Sequence, residues 1–123
     1  MADAYMWEIP VAVWGSLRDN VRSILRRVAK ARDGFITYTD LVKETGYFRG
    51  PESHALAEIL GEICQRDHPA PMLSSLVVYK DYSGPGMGFF RMARQLGRMD
   101  DISNGAVRDR FWLEEVKRCR EVY

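Results

Sequence analysis

Leu17, Val21, Ile24, Leu25 and Val28 recur every three or four residues, the spacing of a single apolar stripe on an α-helix. Ser16 offers an N-cap and Asp33-Gly34 a stop, so the pattern predicts a helix between them. Ahead of it, Tyr5, Met6, Trp7, Ile9, Val11 and Val13 alternate only in part around Pro10, which reads as an extended arm packed through its aromatics. Phe35-Ile36-Thr37-Tyr38 is short and β-like. Thr39 opens a short helix over 40–44 that stops at Gly46. Glu52 or Ser53 opens a longer helix, with Ala55, Ile59, Leu60 and Ile63 on one face and Pro69 and Pro71 closing it. Residues 73–79 hold the apolar run Leu76-Val77-Val78 and read as a strand. A tight glycine-rich connection follows over 83–88. Phe89-Phe90 either completes a hairpin or starts a helix over 91–96. After a polar linker, 107–122 is a last amphipathic helix with Phe111, Trp112, Val116 and Cys119 apolar. Phe111 and Trp112 are expected to pack on Val21, Leu25 and Val28, because two amphipathic helices flanking one small domain must bury their faces somewhere.

This order predicts an α+β fold, a winged helix-turn-helix with an added N-terminal helix and a C-terminal helix. The 123 residues suit a single domain. Its winged-helix core spans about 34–97, with an N-terminal arm and helix over 1–33 and the C-terminal helix over 106–123. The 40–44 helix takes the positioning role, 53–67 the recognition role, and 80–88 the wing.

Within that core, Ile36-Thr37-Tyr38-Thr39-Asp40-Leu41-Val42 resembles the Thr-Tyr-Gly-acid-aliphatic-Ala opening of a known DNA-binding domain. That domain belongs to the O6-alkylguanine DNA alkyltransferases and alkyltransferase-like proteins. Gly46 and residues 55–61 are similar to its small-residue recognition helix. Pro71, Leu76-Val77-Val78 and Gly84-Pro85-Gly86-Met87-Gly88-Phe89 are similar to its ending. The resemblance covers about residues 34–97 and implies a winged helix that binds double-stranded DNA. Where the family carries its catalytic Pro-Cys-His-Arg, this chain has Leu73-Ser74-Ser75-Leu76. No thiolate stands there to accept an alkyl group. His54 and Leu56 occupy the neighbourhood of the family's base-flipping arginine. The resemblance therefore implies the scaffold without the transfer chemistry.

Composition narrows the remaining classes. A chain with 46% hydrophobic and 28% charged residues has the balance of a folded domain. No apolar run approaches the ~20 residues that span a bilayer, and no basic, then apolar, N-terminal stretch reads as a secretory signal. A cytoplasmic location without membrane association is the expectation. Two cysteines and two histidines fall short of a structural zinc set, so no metal and no cofactor are expected. Gly84-x-Gly86-x-Gly88 lacks both the dinucleotide fingerprint and the lysine of a P-loop, and Ser74 and Ser75 lack a nucleophile elbow. Catalysis is not expected.

The net charge of +1 conceals an alternation. Residues 17–32 carry Arg18, Arg22, Arg26, Arg27, Lys30 and Arg32 against Asp19 alone. Residues 40–67 carry Asp40, Glu44, Glu52, Glu58, Glu62 and Asp67 against Lys43, Arg49 and Arg66. Residues 88–98 add Arg91, Arg94 and Arg98 with no acid. The basic segments point to phosphate contacts by Arg22, Arg26, Lys80, Arg91 and Arg94. The carboxylates of the recognition helix oppose that, since a helix in a groove places them near phosphates. They favour an alternative in which His54, Glu58 and Glu62 meet a protein partner. Two functions are thus expected. One is a non-catalytic DNA-binding protein linked to bacterial or phage DNA modification or defence. The other is a small inhibitor or adaptor, such as an anti-defence protein, that binds a nucleic-acid enzyme. A homodimer is compatible with both.

Overall fold

The computed structural model describes residues 5–6, 9–31 and 34–123. Strands β1 (Tyr5–Met6) and β2 (Ile9–Pro10) form a small antiparallel pair. Most of the expected N-terminal arm, including Trp7, lies outside the described residues, and so do Arg32 and Asp33. Helix α1 (Val11–Lys30) starts five residues before Ser16, directly after Pro10. The reason is that the apolar stripe extends backwards through Trp14, which is buried with Leu17, Val21, Ile24, Leu25 and Ala29. Ser16 bonds back to the carbonyl of Val13 from inside the helix rather than capping it.

β3 (Ile36–Thr37) runs straight into α2 (Tyr38–Thr45). Thr37, not Thr39, is the cap, its hydroxyl accepting from the Asp40 N–H at 3.1 Å. Gly46 ends α2 in the left-handed region at φ 76°. α3 (His54–Asp67) opens on Ser53, whose hydroxyl accepts from the Leu56 N–H. Residues 73–79 differ from the expected strand. Leu73–Leu76 is one 3-10 turn, and β4 (Val77–Val78) pairs in parallel with β3. The run is buried from every side, and in such a run periodicity does not separate strand from turn. Phe89-Phe90 falls in α4 (Met87–Gln95), so the glycine-rich loop leads from a strand to a helix and not around a hairpin. α5 (Gly105–Val122) begins at Asn104, whose side chain accepts from the Val107 N–H.

The molecule is thus a mixed fold, 65% helical with a small sheet. Its main core joins the α1 stripe, the inner face of α3 (Ala55, Leu56, Ile59, Leu60, Ile63), the 3-10 turn, and Val116 and Cys119 of α5. A second cluster holds Cys64, Met72, Phe89, Phe90, Ala93, Met99 and Ile102. Trp112 packs against both clusters and donates to the Ser75 carbonyl at 2.8 Å. Phe111 goes to the second cluster, 5.9 Å from the Phe89 ring, and not to α1 as the sequence suggested. Arg120 of α5 donates to the carbonyls of Ala31 and Gly34, both at 2.8 Å, closing the end of α1.

Candidate nucleic-acid interface

The alternating charge segments meet in space. Arg18 donates to Glu62 at 2.6 Å, Arg22 grips both oxygens of Asp67 at 2.9 and 3.1 Å, and Arg27 pairs with Glu44. All three pairs join the basic segment of α1 to the acidic segment that follows it. Glu62 also accepts from the Trp14 indole N–H at 3.0 Å. Burial alone pushes the Glu62 carboxyl up, but the bonds from Trp14 and Arg18 outweigh it and hold the group below its ordinary value.

These pairs change the standing of two expected site residues. Arg22 is spent on Asp67 and is not a free phosphate ligand. Glu62 is spent on α1 and is not a free partner contact. Glu58 and Glu62, four residues apart, were expected on one face. The helix divides them: Glu62 turns to α1, whereas Glu58 is exposed in the wall of a cavity on the α4 side. Arg26 remains exposed, 5.8 Å above the Tyr123 ring. His54 is exposed in the first turn of α3.

The cavity lies between the start of α3, the end of β4 and the start of α4, with a volume of about 440 Å³. That is the size of a small-ligand site. Leu56, Leu60, Phe89 and Met92 form its apolar part, and Ser74 reaches it from the 3-10 turn. Its polar rim holds Glu52, Glu58, Arg91 and the tyrosines Tyr38 and Tyr79. The two tyrosine rings lean on each other with centroids 5.4 Å apart. The Tyr38 hydroxyl accepts from the Gly86 N–H at 2.8 Å, which ties the glycine-rich loop to α2. A Cβ on Gly86 would stand 2.8 Å from the Tyr79 hydroxyl, so a larger residue here would push that ring aside. Gly61 lets α4 approach α3, its missing Cβ replaced by the Met92 methyl.

Of the five expected phosphate ligands, only Arg91 lies in the cavity wall. Arg94 follows one turn later on the exposed side of α4, and Lys80 follows Tyr79. Among the described residues, no ion pair forms on Lys80, Arg91 or Arg94. Asp101 faces Arg94 at longer range, though its carboxyl is held below its ordinary value first by hydrogen bonds from Ser103. The third arginine of the segment, Arg98, is half-buried instead, bonded to Glu115 at 2.6 Å and to the Ala70 carbonyl.

Both cysteines are free and buried. Burial pushes the Cys64 thiol up, and the Cys119 thiol is pushed up to about 12 by burial against a weaker opposing bond from Ser75. Each is paired to a serine of the 3-10 turn, Cys64 to Ser74 at 3.2 Å and Cys119 to Ser75 at 3.6 Å. Thiols of this kind are core groups and poor nucleophiles. No group of three or more His, Cys, Asp or Glu among the described residues is placed to hold a metal ion. No helix among them is long and apolar enough to cross a membrane.

No protein-family model, no curated protein and no solved structure matches this chain.

Proposed function

We propose that this protein is a non-catalytic nucleic-acid-binding module on a winged-helix scaffold of the alkyltransferase-like kind. One observation carries the reading. Two of the three acids of α3 that opposed it, Glu62 and Asp67, are paired inside the molecule and Glu58 alone stays exposed, while Arg91 in the cavity wall and Arg94 and Lys80 outside it carry no ion pair. The surface that meets phosphate is then α4 and the turn after β4, and not the groove-reading face of α3. Seven of the fourteen α3 residues are buried, and Glu62 and Asp67 on the remaining face are paired to α1. The burial of both thiols, which pushes each up from its ordinary value, supports binding without alkyl transfer. Incubation with O6-alkylguanine DNA is expected to leave Cys64 and Cys119 without added mass.

Anisotropy titration of a labelled DNA at low salt tests the reading. Binding that weakens steeply with salt supports it, since each neutralised phosphate releases counterions. Absence of binding to any DNA refutes it. A second reading, a protein-interaction module, is favoured by Glu52 and Glu58 exposed on the cavity rim. It predicts that reversing these two charges abolishes capture of a basic partner and leaves DNA affinity unchanged.

A further inference from the structure

We infer that the turn after β4 is a stacking platform for unpaired nucleobases, so that the preferred ligand is single-stranded DNA rather than an intact duplex. The inference rests on the nucleic-acid reading above and names its ligand class. Tyr79 is 51% exposed and Tyr82 is 59% exposed, at the two ends of one tight turn closed by the Tyr82 N–H donating to the Tyr79 carbonyl at 2.8 Å. Tyr82 is the one described non-glycine residue with positive φ, at 59°. A bulky ring held in that conformation is uncommon, and glycine or asparagine would serve the turn better. The turn therefore presents an aromatic side chain at a backbone position that disfavours one.

The surroundings fit a nucleic-acid strand. Lys80 stands between the two tyrosines, Arg91 lines the cavity that Tyr79 borders together with Glu52 and Glu58, and Arg94 is exposed one turn further along α4. Asp81, the acid of the turn, is directed at its own backbone, its carboxylate accepting from the Ser83 N–H at 3.0 Å. Cations that track phosphates beside exposed aromatic rings are the recurring arrangement for single strands. In a duplex the base faces are already stacked on one another, and the tyrosines would find no ring to cover.

The test compares a labelled oligothymidine with a duplex of equal length at one salt concentration, for the wild type, Tyr82→Phe and Tyr82→Gly. The glycine variant suits φ 59°, so its melting temperature is expected to hold or rise. The expected result is tighter binding of the single strand, and a loss of about 5- to 150-fold in strand affinity for Tyr82→Gly. Duplex affinity is expected to be unchanged by either variant, and Tyr82→Phe to match the wild type. Equal affinity for strand and duplex, or an unchanged strand affinity in a folded Tyr82→Gly, overturns the inference while DNA binding itself still stands. Failure of the wild type to bind either DNA overturns both readings.

Discussion

Glu62 and Glu115 show how far single carboxylates decide this structure. Glu62 accepts from Trp14 and Arg18 and titrates below its ordinary value. A carboxyl whose folded pKa is depressed contributes stability that is complete above its unfolded pKa and is lost as pH falls through the folded one. Glu62→Gln is therefore expected to cost about 1–2 kcal/mol near neutral pH, the low end for hydrogen bonds to a charged group, because the 32% exposed carboxylate is screened by solvent. The difference from wild type should shrink below the usual carboxylate range, as measured by denaturant unfolding at several pH values. A difference that does not depend on pH would contradict the assignment. Glu115 is 1% exposed and receives both Arg98 and Arg118. Removing it leaves the half-buried Arg98 guanidinium without its countercharge and opens a hole where a fully buried side chain stood. Glu115→Ala is expected to cost about 3–5 kcal/mol, read as a lower melting temperature. These partners were not legible in the sequence. Arg18 and Glu62 are 44 residues apart and Arg22 and Asp67 are 45, so charge counted along the chain showed two opposed segments without showing that they close on each other.

The existence and order of the helices were legible from their apolar stripes and stop residues, their first residues less so. Ser53, one of the two openings read for it, caps α3, and Gly46 stops α2 as read. Gly46 has nothing within 4 Å of the position its Cβ would take, so the cost of Gly46→Ala is purely conformational. It is expected to be about 1–2 kcal/mol in chemical denaturation, from the left-handed backbone alone. No loss at all would mean that α2 ends differently. The errors have local physical causes. Ser16 has the chemistry of a cap, but Trp14 adds a buried turn ahead of it and Pro10 is where the helix can start. Residues 73–78 are buried throughout, the polar Ser74 and Ser75 included, so the alternation of a half-buried strand was not there to read. Phe89 and Phe90 both face the second cluster from α4, the helical one of the two arrangements that the sequence left open.

At the scale of the molecule, three charge segments fold into one internal pairing and one exposed remainder. The basic α1 segment spends Arg18, Arg22 and Arg27 on the acidic segment from α2 to α3, and Arg98 goes to Glu115. Arg91 and Arg94 stay without ion pairs beside a cavity that also exposes Tyr79. The sequence located these cations but could not separate them from Arg22, because the distinction depends on which helix packs against which. The most direct measurement is the slope of log affinity for DNA against log salt, for the wild type and for the double variant Arg91→Ala/Arg94→Ala. Each phosphate contact contributes a slope of about −0.9 on duplex and about −0.7 on a single strand. The account predicts that the double variant flattens the slope by between one and two units and weakens all sequences alike, because phosphate contacts read no base. An identical slope in the two proteins would contradict it.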